Sequence, residues 1–344
     1  MNIAILETWY LDHHRKLPFR GKDPYQIWVS EIMLQQTQVE TVLPFFERFI
    51  KRYPTVRALS QTDDETLKKQ VEGLGYYRRF SHMLRAAKIM VEQHQGNVPN
   101  TYQDLIALPG IGEYTAGAIL SIAYQLPYAA TDGNVIRVLS RYYGIKDDMA
   151  LVKNRKKITA LHQSLIEQAH PEIYTQAVME LGALICKPKK PQCQICPIRA
   201  SCIAYQQNAT SEYPVISKTK SNAVFQWMTM IVLKEGSIAL RKRQETLLEG
   251  MYEYPQYEKT TIENWLSSMN QQGVMFESVT YLLRVSHVFS HQRWEMEVYV
   301  ARLKGSKHPD WVMVPLSDQL KYPMATAHRK INLSDILKKD DENA

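Results

Sequence analysis

Cys186, Cys193, Cys196 and Cys202 are the only cysteines in this chain, and they fall within seventeen residues as Cys-x6-Cys-x2-Cys-x5-Cys. Scattered cysteines pack cores or pair as disulfides, whereas a tight quartet points to one metal site. A four-cysteine zinc site normally uses two Cys-x-x-Cys pairs, and only Cys193 and Cys196 form one here. Four thiolates at uneven spacing suit the separate irons of a 4Fe-4S cubane better. Met1–Tyr10 has no basic segment followed by an apolar run, so the chain reads as cytoplasmic, where disulfides are disfavoured.

Two further clusters could do chemistry. Leu108-Pro109-Gly110-Ile111-Gly112 lies between helical segments. Its glycines permit tight, positive-φ backbone, and the N–H groups of the next helix can cradle a backbone phosphate. An ordinary helix–turn–helix corner is the competing reading. About twenty residues on, Asp132 stands where a new helix begins, as a plain N-cap or as a placed anion. Glu31 lies among Trp28, Val29, Ile32 and Leu34. Burial there would raise its pKa, which suits a proton donor. The bland alternative is an amphipathic helix whose polar face carries Ser30, Glu31 and Gln35.

These groups need a scaffold. At 344 residues, 45% hydrophobic and 22% charged, the chain has room for two or three soluble domains. A net charge of +7 favours a polyanionic partner. Thr115–Ala130 is too short to span a bilayer and is broken by Gln125 and Pro127, so no membrane role is expected. Apolar residues recur at helical spacing over Pro24–Gln38, Val39–Arg52, Ser81–Gln95 and Thr101–Leu108, with Pro44, Pro54, Pro99, Pro109 and Pro171 as punctuation. Residues 206–222 read as a polar linker. Beyond it, Phe225–Leu233 and Ser237–Arg241 read as strands turning at Gly236, Thr261–Met269 as a helix and Trp294–Leu303 as a strand. The expected fold class is therefore multidomain, α followed by α+β.

The run LPGIGxxTA, ending in Thr115-Ala116, resembles the helix-hairpin-helix signature. That hairpin, Asp132 and the cysteine quartet together resemble the endonuclease III superfamily of DNA base-excision glycosylases over roughly residues 15–205. Three features narrow the likeness to MutY-type adenine glycosylases. Tyr114 stands where endonuclease III-like enzymes carry an imine-forming lysine. Ser30-Glu31-Ile32-Met33-Leu34-Gln35-Gln36-Thr37 matches the family's SE-x-M-L-Q-Q-T segment. Phe289-Ser290-His291 resembles its F-S-H loop, in a domain that is Nudix-like in fold but lacks the Nudix catalytic glutamates.

The resemblance implies a domain plan and a set of roles. Residues 1–205 would form the two-lobed helix-hairpin-helix glycosylase domain, with a six-helix lobe over about 21–129 and an iron–sulfur lobe of 1–20 and 130–205. The linker 206–222 would lead to a Nudix-like recognition domain at 223–338 and a tail at 339–344. The activity would be monofunctional hydrolysis of adenine opposite 8-oxoguanine or guanine in double-stranded DNA. Glu31 would protonate N7, Asp132 would stabilise the oxocarbenium ion with Asn134 orienting it, and Tyr114 would contact C1′, serving further as a transient covalent nucleophile. Leu17, Phe19 and Arg20 would line the pocket, Phe19 replacing the usual Trp. Glu180 would contact the flipped adenine. Gln36 and Tyr76 would fill the gap in the stack beside Thr37, and Gly110 and Gly112 would hold phosphate. Phe289, Ser290 and His291 would read the opposite base. The 4Fe-4S cluster would sit on the four cysteines, in a loop whose Lys187, Lys189, Lys190 and Arg199 face phosphates. A monovalent cation or calcium ion would bind at the hairpin. A monomer that associates with the nucleoid, and a contact with a sliding clamp or repair protein, complete the expectations.

Overall fold

The computed structural model describes residues 1–21, 23–217, 223–289 and 291–333. Ser290 and the tail 339–344 lie outside the described residues. The chain divides into two compact units, Met1–Gln61 with His82–Thr219, and Thr62–Ser81 with Lys220–Ala344.

The first unit is helical. It contains α1 (Ile3–His13), α2 (Pro24–Leu34), α3 (Val39–Arg52) and α4 (Val56–Ser60). α5 (Asp64–Gln70) belongs to the second unit, and α6 (Arg78–Gln93) begins there and runs into the first. The first unit continues with α7 (Tyr102–Ala107), α8 (Glu113–Ala118), α9 (Gly133–Tyr143), α10 (Val152–Ile166), α11 (Pro171–Leu184) and α12 (Ile203–Gln206). Helix starts follow local chemistry. Asp23 accepts from the N–H groups of Tyr25 and Gln26 ahead of Pro24, whose missing donor costs nothing at the first position. Thr101 and Asp132 cap α7 and α9 in the same way, and α9 stops at Gly144 with φ 63°. Pro44, expected as punctuation, lies inside α3 instead. Val42, Phe46 and Phe49 on the same helix are buried, and their packing outweighs the lost backbone bond.

One core of this unit joins α1, α9, α10 and α11 through Leu6, Val138, Leu139, Ile158, Tyr174 and Leu181. Part of the expected linker also packs here. Arg141 Nε donates to the carbonyls of Thr210 and Tyr213, the Met149 N–H donates to Val215 O, and Tyr213 is buried. Polar composition alone hid these backbone partnerships.

The second unit is built on a sheet in the order β3-β2-β1-β6-β5, with β4 on β1 and β7 on β2. Its strands are β1 (Ala223–Lys234), β2 (Ser237–Lys242), β3 (Tyr252–Glu253), β4 (Gln256–Glu258), β5 (Met275–Val288), β6 (Gln292–Lys304) and β7 (Trp311–Pro315). β1 and β6 run parallel from Ala223↔Gln292 to Leu233↔Arg302, and the other pairs are antiparallel. α13 (Ile262–Gln271) packs Trp265 and Met269 onto one face against Met228, Met230 and Trp311. The short α14 (Thr326–Arg329) follows β7 and a 3-10 turn. The β1–β2 hairpin turns at Gly236, φ 74°, as its sequence anticipates. Among the described residues no helix is long and apolar enough to cross a membrane.

Candidate active site

α2, α8 and α9 bring three of the expected residues together. α2 is buried almost all round, from Ile27 to Met33, so the solvated polar face that Ser30 and Glu31 might have formed does not exist. Ser30 satisfies its hydroxyl on Ile27 O at 2.8 Å. Glu31 is left as a buried carboxyl, and the Tyr114 hydroxyl donates to its Oε2 at 2.7 Å. Burial lifts the Glu31 pKa to about 7, the negative charge of Asp132 adds to the rise, and Tyr114 and Arg20 oppose it. Tyr114 is held well above the usual phenol range by burial and by the charges of Glu31 and Asp132, so it is a neutral donor.

Asp132 caps α9 and is also held by Asn134. Its Oδ1 accepts from the Val135 N–H at 2.7 Å, which is the N-cap. Its Oδ2 accepts from Asn134 Nδ2 at 2.7 Å. Arg137 Nη2 donates to Asn134 Oδ1 at 2.8 Å and to Gly182 O at 2.8 Å, and its Nε donates to Cys186 O at 2.7 Å. Burial raises the Asp132 carboxyl, these donors and the Arg137 charge act against that rise, and the net direction is up. Glu31 has one donor and Asp132 has several, so the rise that burial causes meets more opposition at Asp132 than at Glu31. Gly182 makes this fit possible, since a Cβ there would stand 2.6 Å from Asn134 Cβ.

A second ionic group lies beside it. Glu180 is buried and takes Arg15 through the backbone N–H, Nε and Nη2 at 2.9–3.0 Å, together with Arg20 Nη2. Burial pushes the Glu180 carboxyl up, the two arginines pull it down, and the net direction is down. Both of its oxygens are thus engaged by arginine. Arg20 Nη1 also reaches Tyr10 OH and Gln176 Oε1. Gln176 was not singled out from the sequence, because a lone polar residue on a helix carries no local signal. Phe19 is buried edge-on against Phe46 at 5.3 Å, and Leu17 is half-buried.

Gln36 is exposed at the end of α2 with φ 57°, left-handed for a non-glycine residue, and Thr37 donates to Gln35 O. Gly110 has φ 80°, and a Cβ there would meet His82 Cβ at 2.7 Å. Gly112 is the N-cap of α8, whose first N–H groups have no partner within the helix. In the second unit, Tyr76 is 44% exposed with φ 48°, between Gly75 and the buried Tyr77. Phe289 lies 4.8 Å from Trp294, and His291 is exposed.

Cys186, Cys193, Cys196 and Cys202 line one pocket with Arg141 and Arg199. Among the described residues no three His, Cys, Asp or Glu side chains approach closely enough to hold a single metal ion. Burial raises the thiols of Cys193, Cys202 and Cys196, the last to about 12. A cationic centre in that pocket would reverse the shift and hold them as thiolates.

Known proteins resemble this chain. Residues 29–168 match the HhH-GPD superfamily base excision DNA repair protein family, and residues 228–333 match the NUDIX domain family. An adenine DNA glycosylase of Buchnera aphidicola is 34% identical over 318 residues, covering 89% of this chain and 84% of that protein. The chain belongs to the adenine DNA glycosylase family. A plant member, from Arabidopsis thaliana, is 32% identical over 87% of this chain and 57% of its own length. The solved structure of a thermostable thymine-DNA glycosylase superposes with TM-score 0.55 at 26% identity, over 60% of this chain and 95% of that one. An endonuclease III–DNA complex gives TM-score 0.51 at 22% identity over 60% and 94%, a likeness of fold. Two domains, one HhH-GPD-like and one Nudix-like, therefore make up this adenine DNA glycosylase family member.

Proposed function

We propose that this chain hydrolyses the bond between adenine N9 and deoxyribose C1′ when the adenine stands opposite 8-oxoguanine or guanine in duplex DNA. The observation that carries the reading is the buried Glu31 carboxyl, with its pKa near 7, held by Tyr114 within reach of the Asp132 charge. The adenine leaves the stack to reach these groups. Adenine is a poor leaving group as an anion, and Glu31 supplies the proton to N7. As the bond breaks, positive charge builds on the sugar, and the fixed Asp132 anion stabilises it. Water adds at C1′ with Glu31, now ionised, as base. The pairing of one acid with one anion parallels glycoside hydrolysis. Tyr114 orients Glu31 and contacts C1′, and with no amine at that position no imine forms.

The other segments serve recognition in this reading. Phe289, Ser290 and His291 read the opposite base, and Tyr76 and Gln36 occupy the space that the adenine vacates. The cysteine pocket holds a 4Fe-4S cluster that fixes the loop with exposed Lys187, Lys189, Lys190 and Arg199 against phosphates. Convergence of the four cysteines on one pocket supports this reading, in which each would supply one thiolate to the cluster. Iron and acid-labile sulfide, measured on protein purified without oxygen, should come out at about four each per chain. One zinc and no sulfide would overturn the cluster.

A labelled duplex with one adenine opposite 8-oxoguanine tests the activity under single turnover. Scission is expected only after alkali, because the product is an abasic site. Scission without alkali would replace Tyr114 by an unrecognised amine. Tight binding with no scission under either condition would make the chain a binding protein.

A further inference from the structure

Thr326–Arg329, with Lys330 after it, touches two segments of the second unit that lie about 200 residues apart in sequence. Arg329 Nε donates to Glu72 Oε1 at 2.5 Å, and the same oxygen accepts from the Met324 N–H. Lys69 reaches the other oxygen of Glu72. Thr326 is hydrogen-bonded through its side chain to Tyr77, whose hydroxyl accepts from the Gly73 N–H at 3.0 Å. These contacts bracket the turn Gly73–Tyr77, where Gly73, Gly75 and Tyr76 all have positive φ.

The neighbouring residues of the same helical turn point elsewhere. His328 is fully buried, with its ring 6.2 Å from Trp294 and Nε2 3.4 Å from Glu253. Trp294 supports Phe289 at 4.8 Å, and Arg243, itself paired with Glu253, lies over the Trp294 ring at 5.2 Å. Lys330 Nζ donates to Ser286 O at 3.2 Å, at the root of the 289–291 loop. Neighbouring residues of one short helix and its C-cap thus grip two partly exposed segments, one through charge on Glu72 and one through an aromatic post.

We propose that α14 is a positioning element that sets the Gly73–Tyr77 turn in register with Ser286–Phe289, with Arg329 and Glu72 as its positioning residues. It couples contact with the base opposite the adenine to placement of Tyr76 beside it. The proposal rests on the roles given to those two segments above. The physical warrant is a continuous chain of buried or ion-paired groups from Phe289 to Glu72.

Single-turnover rates on adenine opposite 8-oxoguanine and opposite guanine form the test, with Arg329→Met, Arg329→Lys, Phe289→Ala and the double variant Arg329→Met/Phe289→Ala. Coupling of ordinary size predicts about a tenfold fall for Arg329→Met on the 8-oxoguanine substrate, with the guanine substrate changed less than about twofold. Arg329→Lys should recover most of the loss, and the double variant should lose no more than Phe289→Ala alone. Equal falls on both substrates, or losses that multiply in the double variant, would overturn the coupling. Amide hydrogen exchange of Gly73–Tyr77 in the free protein separates this from the function itself. Phe289→Ala should speed it about threefold or more if the chain of contacts transmits. Unchanged exchange would sink α14 as a coupler even where the parent prefers 8-oxoguanine. Faster exchange in a parent without that preference would keep the coupler and remove the recognition role.

Discussion

Glu31→Gln should abolish adenine release while making the protein more stable at pH 8. Loss of a positioned general acid lowers the rate by about 10²–10⁴-fold, and the upper end is expected because Glu31 is the carboxyl to which the buried Tyr114 hydroxyl donates. Stability moves the other way. The folded pKa near 7 lies above the ordinary 4.5, so the folded state binds the extra proton. That contribution is complete below about 4.5 and is lost as pH rises through 7. Above it, the parent carries a buried carboxylate at a cost of about 3 kcal/mol. Glutamine stays neutral and still accepts from Tyr114. Urea midpoints should thus differ at pH 8 and converge near pH 4.5. A midpoint difference independent of pH would show that Glu31 is not held up by burial. In the parent, kcat/KM should fall about tenfold per pH unit above 7, as the acid form is depleted.

Asp132→Asn separates the cap from the charge. Asparagine caps helices as well as aspartate, so stability should change by no more than about 1 kcal/mol. The anion that faces the sugar cation is removed, and the single-turnover rate should drop by roughly 10³-fold. Asp132→Ala should show the same loss of rate plus about 1 kcal/mol from the missing cap. If Asp132→Asn keeps a rate within tenfold of the parent, Asp132 is a cap alone and the sugar cation is stabilised elsewhere.

Much of this site could be read from the chain because its parts carry local signals. The cysteine spacing, the two glycines of the hairpin and a carboxylate at a helix start each have a physical reason that is visible over a few residues. Glu31 was ambiguous by itself, since Ser30, Glu31 and Gln35 also describe a wet helix face. Only the packing of α2 decides between the two. Gln176, Arg15 and the pairing of Glu180 with the arginines escaped for the opposite reason, as the partners lie about 160 residues apart. β5 was not anticipated because it is half-exposed and carries register shifts at Phe276/Ser278 and Tyr281/Leu283, which erase alternation by twos. Pro44 within α3 shows punctuation overridden by a buried face.

Residues 62–81 sit inside the stretch that matches the glycosylase family, yet they pack as part of the unit that holds the sheet. Lys68 is buried there, giving its ammonium to Glu249 O and Asp64, and Glu65 meets Lys242 and Tyr252. The order of modules along the gene product is therefore not their order in space. A truncation after residue 217 would keep the catalytic groups but take Lys242 from Glu65, the Glu249 carbonyl from Lys68 and Arg329 from Glu72, leaving the last two with Asp64 and Lys69 as partners. Neither module, cut at its apparent border, is a whole inheritable part. Swapping the sheet domain between relatives would require exchanging an internal helix of the other domain along with it.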